Sequence, residues 1–193
     1  TQNGALTIGG NATLTATDIT LANTGNSFGG TVAFTGATVA LFDSTALALA
    51  ASTASGAATL TSTAAITQTG VLAVGGNTLL TGTDITLNNA GNAFGKLAAK
   101  AANIGVTSAG ALTLDGVYAA GNLAITAGGD VTQSGAVQAV AEGALTTIAT
   151  TGTFNVLLPN LLNDFVTLTI SSNDVTVSDA NDLRVVASSI NGD

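Results

Sequence analysis

The chain repeats itself at long range, and this constrains its fold more than any other feature. Residues 1–30 read TQNGALTIGGNATLTATDITLANTGNSFGG, and residues 67–96 read TQTGVLAVGGNTLLTGTDITLNNAGNAFGK. The two segments align without gaps at an offset of 66, with 19 of 30 positions identical. Residues 58–70 (ATLTSTAAITQTG) align in turn with residues 122–135 (NLAITAGGDVTQSG), which places Gln68 on Gln133 and Gly70 on Gly135. A diverged third copy begins at Thr132. Its Asn163-Asp164-Phe165 takes the place of Asn26-Ser27-Phe28 and Asn92-Ala93-Phe94, after an expected short insertion around Pro159. Val175-Thr176-Val177-Ser178-Asp179 then echoes Val39-Ala40-Leu41-Phe42-Asp43. Internal periodicity on this scale is the mark of a solenoid or array.

A shorter period runs inside the long one. The triplets Ile19-Thr20-Leu21, Val39-Ala40-Leu41 and Ala58-Thr59-Leu60 recur at intervals of 19–20 residues, as do Ile85-Thr86-Leu87, Ile104-Gly105-Val106 and Leu123-Ala124-Ile125. The outer two positions of each are apolar and the middle one is small or polar. That alternation belongs to a strand with one buried face. Strands of three to five residues, broken by Gly, Asn and Asp, indicate an all-β chain. A sandwich would give each strand its own place in the core. A strand that returns at fixed spacing can instead lie on its predecessor as a parallel ladder, and about 20 residues leave room for the return path. The reading is therefore a right-handed parallel β-helix (β-solenoid) of about 19–22 residues per coil. Residues 1–193 form one solenoid segment, with long repeats at approximately 1–66, 67–131 and 132–193. With coils about 4.8 Å apart, nine or ten of them make a rod of roughly 45 Å.

Composition supports this and removes several function classes. Charged residues are only 7% of the chain and aromatics 4%, while hydrophobic residues reach 46%. No run approaches the ~20 apolar residues of a membrane helix, so membrane insertion is not expected. The wealth of β-branched residues and the scarcity of charge argue against disorder. The net charge is −8, with three basic residues, Lys96, Lys100 and Arg184. Nucleic acid and anionic membranes are therefore poor partners. Cys, Met, Trp and His are absent, which excludes disulfides, thiolate chemistry, imidazole metal ligands and His-based triads.

The chemistry-bearing residues that remain are scattered. Asp18 and Asp84 are repeat equivalents, as are Asp43 and Asp179, which suits a turn or cap more than a unique site. Lys96 and Lys100 have no acid beside them in sequence, so no catalytic residue and no cofactor is assigned. Gly128-Gly129-Asp130 approaches the repeat of calcium-binding rolls but occurs once, so no metal site is assigned either. Thr13, Thr15 and Thr17, with Thr81 and Thr83, suggest an ice-binding array as a remote alternative. Thr35-Gly36-Ala37-Thr38 breaks the array. Phe28 and Phe94, in the motif G-N-x-F-G, are expected to fill a corner of the core. Asn26, Asn92 and Asn163 are expected to bond turn backbone or to form ladders. The clearest departure from the repeat is Gly152–Phe165, with Val156-Leu157-Leu158-Pro159 and Leu161-Leu162.

The run G-N-x-F-G-G-T-V followed by strand residues and an Asp (Gly25–Asp43) resembles the filamentous-haemagglutinin-type repeats of bacterial two-partner-secreted exoproteins. So does L-x-I-T-A-G-G-D-V-T-Q-S-G-A (Leu123–Ala136), and the resemblance covers essentially the whole chain. It implies a right-handed β-helix shaft, secreted to the bacterial cell surface through an outer-membrane transporter. In that arrangement the shaft presents a distal adhesive or effector element to a receptor or glycan on a host or neighbouring cell. The N-P-N-G and N-P-N-L motifs of the family's secretion domain are not visible, and Leu158-Pro159-Asn160-Leu161 stands alone. Because the chain begins at Thr1 without a signal peptide, and begins and ends inside a repeat, a longer parent array is expected. The second reading is a self-assembling extracellular filament or surface-layer component, in which coil ends or lateral faces join copies.

Overall fold

The computed structural model describes residues 2–192, and among these every regular element is a strand. All pairings are parallel, and the strands stack as a β-solenoid of about ten turns with about 19 residues in each. The reason is visible in single strands. Thr38–Asp43 buries Val39, Leu41 and Asp43 while Thr38, Ala40 and Phe42 face outward. Ala58–Ser62, one coil on, buries Ala58, Leu60 and Ser62. The two pair in register, Val39 with Ala58 and Leu41 with Leu60, so like side chains lie on like and the core is a continuous apolar column.

Each turn has three faces, visited in the order I, II, III. Face I carries Leu47–Leu49, Ile66–Gln68, Asp84–Leu87, Asn103–Ser108, Leu123–Ala127, Leu145–Thr150 and Thr167–Ser172 in successive pairings. The short strands Thr7–Ile8 and Ser27–Phe28 pair with each other at its beginning. Face II begins with Ala12–Thr15 on Thr31–Gly36 and ends with Val131–Gln133, Val156–Leu158 and Val175–Val177. Face III begins with Asp18–Leu21, Thr38–Asp43 and Ala58–Ser62. It continues through residues 78–81, 97–101 and 117–119, then Val137–Ala139 and Asp164–Phe165. Leu72–Thr81 and Ala93–Ala101 each run across the corner from face II to face III.

The long repeat and the coil are incommensurate. Ile19 lies on face III, its repeat equivalent Ile85 on face I, and the third equivalent, Val156, on face II. One repeat thus spans three coils plus one face, and successive repeats are turned by a third of a revolution. Three repeats close the cycle in ten turns. The short strands do return to the same ladder, as their spacing predicts, whereas the long repeats never lie on one another.

The expected insertion at Pro159 is not there. From Leu158 to Asn163 the chain spans the same turn as from Leu21 to Asn26 and from Leu87 to Asn92, closed each time by the Asn side chain on the preceding Leu carbonyl. The added residues enter earlier. Ile104 pairs with Leu123 at the ordinary step, but Leu123 pairs with Thr146 and Val131 with Val156, both at longer steps. Two bulged turns absorb them, around Gly143 (φ 77°) and Gly152 (φ 103°), left-handed conformations that favour glycine.

Candidate functional site

The strongest recurrent chemistry sits at the three corners. At the corner between faces I and II, the Asn92 amide is wholly buried. Its Nδ2 donates to the Leu87 carbonyl (3.0 Å) and to Gln68 Oε1 (2.8 Å). Its Oδ1 accepts from the Leu72 amide (2.9 Å) and from Gln68 Nε2 (2.8 Å). Both donors and both acceptor sites of the side chain are used. Gln68 comes from the coil below, so the pair is an amide–amide clasp between coils. Asn26 repeats the arrangement with Gln2 at the III/I corner, and Asn163 with Gln133 at the II/III corner. A second Asn three residues earlier (Asn23, Asn89, Asn160) closes each turn by accepting from the amide two residues on.

The third storey of each corner is an acid or its substitute. Asp43 Oδ1 accepts from the Phe28 amide (3.3 Å) and from Thr45 N and Oγ1 (2.9 and 2.8 Å). Asp179 accepts from the Phe165 amide at 2.8 Å. Ser108 stands at the corresponding place above Phe94, but its buried Oγ makes no hydrogen bond, so this corner keeps the position without the cap. Phe28, Phe94 and Phe165 are 2%, 5% and 0% exposed, so the rings fill the corners as expected. The Asn residues expected to form turn bonds do so. They do not ladder with one another, because each occupies a different corner.

Side-chain ladders occur elsewhere and engage several further acids, Asp164 among them, whose Oδ1 accepts from Asn181 Nδ2 (3.1 Å). Asp84 Oδ1 accepts from Asn103 Nδ2 (2.8 Å), Asn103 Oδ1 from the Asn122 amide (3.0 Å), and Asn122 Oδ1 from the Leu145 amide (2.9 Å). Asp115 takes the Ser134 hydroxyl (2.6 Å), and Asp130 takes the Asn155 amide (2.8 Å). The Gly128-Gly129-Asp130 carboxylate thus caps the next coil. Among the described residues no group of three His, Cys, Asp or Glu comes together. Nor do the described residues include a helix long and apolar enough to cross a membrane.

The outward side of face III is chemically distinct. Thr81, Lys100, Tyr118, Gln138 and Asp164 stand in one column, each paired in register with the next. Lys100 Nζ lies 5.9 Å from the centre of the Tyr118 ring, within cation–π range. Depressions of about 300 and 400 Å³ flank this pair on either side. In the other repeats the positions equivalent to Lys100–Tyr118 are the paired hydroxyls Thr35–Thr53 on face II and Ser171–Ser189 on face I. In sequence Lys100 has no acidic neighbour. Its partner is an aromatic ring one coil away, visible only once the coil length is known to within a residue.

Similar departures mark the third repeat. Where the first two place Thr24-Gly25 and Ala90-Gly91, it has Leu161-Leu162, 74% and 68% exposed. The Leu162 carbonyl accepts from Gln138 Nε2 at 3.4 Å, so this turn adjoins the face III column. Outward Thr residues do not form a regular array: Thr67 and Thr86 on face I are followed by Gly105 and Ala124 before Thr147.

A family model described as repeats of unknown function (DUF5649) matches three consecutive segments, residues 1–35, 36–99 and 101–172. The chain belongs to that family. Nearly the whole solenoid is covered by the three matches, one for each of the rotated modules seen at the corners. No curated protein and no solved structure matches the chain.

Proposed function

We propose that this chain is a shaft segment of a secreted bacterial surface adhesin or exoprotein, a stiff spacer that presents an adhesive or effector element carried elsewhere on the protein. One observation carries the reading: the conspicuous recurrent polar side chains, from the Gln–Asn clasps to the Asp caps, bond the next coil. Repeat chemistry spent on stacking builds length. Ten turns supply roughly 48 Å of it. The resemblance to filamentous-haemagglutinin-type repeats adds the setting, an extracellular rod exported through an outer-membrane transporter.

Competition provides the test. The purified 193-residue chain, added in excess, should leave binding of the parent protein to its target cells unchanged. Deleting one ten-turn block from the parent should shorten its reach by roughly 48 Å while binding persists. Inhibition by the isolated chain would sink the shaft reading and make this segment itself adhesive.

A further inference from the structure

We propose that face III is a self-complementary surface through which two copies of this chain pair side by side, antiparallel. Lys100, Tyr118, Gln138 and Asp164 occupy four successive coils of one outward column. Coils about 4.8 Å apart set Lys100 and Asp164 roughly 14 Å from each other within one rod, too far to pair. A second rod turned end over end, about an axis midway between Tyr118 and Gln138, changes this. Lys100 then faces the partner's Asp164 and Tyr118 faces the partner's Gln138, and each contact is made twice. That is the isologous geometry of a two-fold dimer.

The dimensions suit it. Sheets that pack face to face lie about 10 Å apart, which a long Lys and a short Asp bridge together. Beside the column, exposed Leu79 pairs with Ala98, and Gly116 and Ala136 follow, small residues that let two sheets approach around the one leucine. Leu79, Lys100, Gly116, Tyr118, Ala136 and Gln138 line a depression of about 300 Å³ that can seat the partner's side chains. Charge adds direction. In a chain of net charge −8 with three basic residues, an exposed Lys on a sheet face is a scarce attractor for a copy's acids. The equivalent columns on faces I and II carry hydroxyl pairs instead, so only one of the three faces has this order of cation, phenol, amide and anion.

The area is modest. Six coils of strands four to five residues wide cover roughly 450 Å² per partner, against about 800 Å² for a standard stable interface. Pairing is therefore weak in one chain and grows with the number of copies in an array. This inference does not depend on the shaft reading, since a spacer can pair or stand alone.

Sedimentation equilibrium of the 193-residue chain from about 1 μM to 1 mM should show a monomer–dimer equilibrium. Lys100→Asp and Asp164→Lys should each weaken it about tenfold or more, and the double variant should restore it to within about threefold. Asp164→Lys is the discriminating case. It moves the net charge from −8 toward zero, so generic repulsion would predict tighter association, whereas the paired geometry predicts weaker. At concentrations where every variant is monomeric, melting curves should agree closely, because these side chains face outward and Asp164 gives up only one exposed bond, from Asn181 Nδ2. A chain monomeric at 1 mM, a dimer indifferent to both single changes, or a double variant that fails to recover would each overturn the proposal.

Discussion

The corners and the outer faces of this solenoid obey different rules. The Gln and the buried Asn and Phe of the corners recur unchanged through three repeats, although each copy sits a third of a turn from the last, while the exposed turn positions (Leu161-Leu162) and the cap (Ser108 for Asp) differ. The Gln–Asn clasp keeps its bonds from Asn26 to Asn163. Outward positions change freely, from Thr35–Thr53 to Lys100–Tyr118 to Ser171–Ser189. A corner must turn the chain, bury backbone polar groups and join two coils at once. An outward position has fewer demands on it, though some outward side chains bond the next coil, as Asn103 does to Asp84. What makes the chain a rod is therefore written in the corners, while the faces are free to vary.

Substitutions can break or sharpen that contrast. The largest effect is expected for Phe94→Asp, which puts a charge into a corner of the core. The adjoining coils should unfold, because a solenoid unit is held by its nearest neighbours, and circular dichroism melting would detect it; an unchanged melt would show that the ring is not core. Asn92→Leu comes next. It orphans the Leu72 amide, the Leu87 carbonyl and the Gln68 amide, and should cost about 3–5 kcal/mol in urea unfolding. Gly70→Ala tests the closeness of stacking at the same corner. An added Cβ there would lie 2.3 Å from the Ala51 nitrogen, and a loss of about 1–3 kcal/mol is expected from overpacking. Tyr118→Thr restores the hydroxyl found in the first repeat and should shift folding stability by less than about 0.5 kcal/mol. If Tyr118→Thr proved as costly as Asn92→Leu, the separation between corner and face would be lost.

Much of this was legible in the residues. The triplet spacing points to ladders, the Phe positions to the core, and the Asp43–Asp179 equivalence to a cap, since all three follow from local patterns. The Gln–Asn clasp was half visible: Gln68 aligns with Gln133, and Asn26 with Asn92 and Asn163, but nothing in one dimension says that an amide bonds another 24 or 30 residues away. The rotation between repeats was also latent, because 66 is not a whole multiple of 19 or 20. The Pro159 turn misled for a physical reason. Proline and two exposed leucines look foreign to the repeat, yet the backbone there keeps the turn of Asn23–Asn26, and the extra length hides in glycine-bearing bulges upstream.

The offset between repeat and coil has a mechanical consequence. If a repeat tilts the coils slightly toward its bulky corner, the next one tilts them a third of a turn away, and the third completes the cancellation. Repeats in phase with the coil would accumulate that bias into a curved or supercoiled ribbon. Out of phase by one face, they average it to zero every ten turns, giving a straight beam that resists bending equally in all directions.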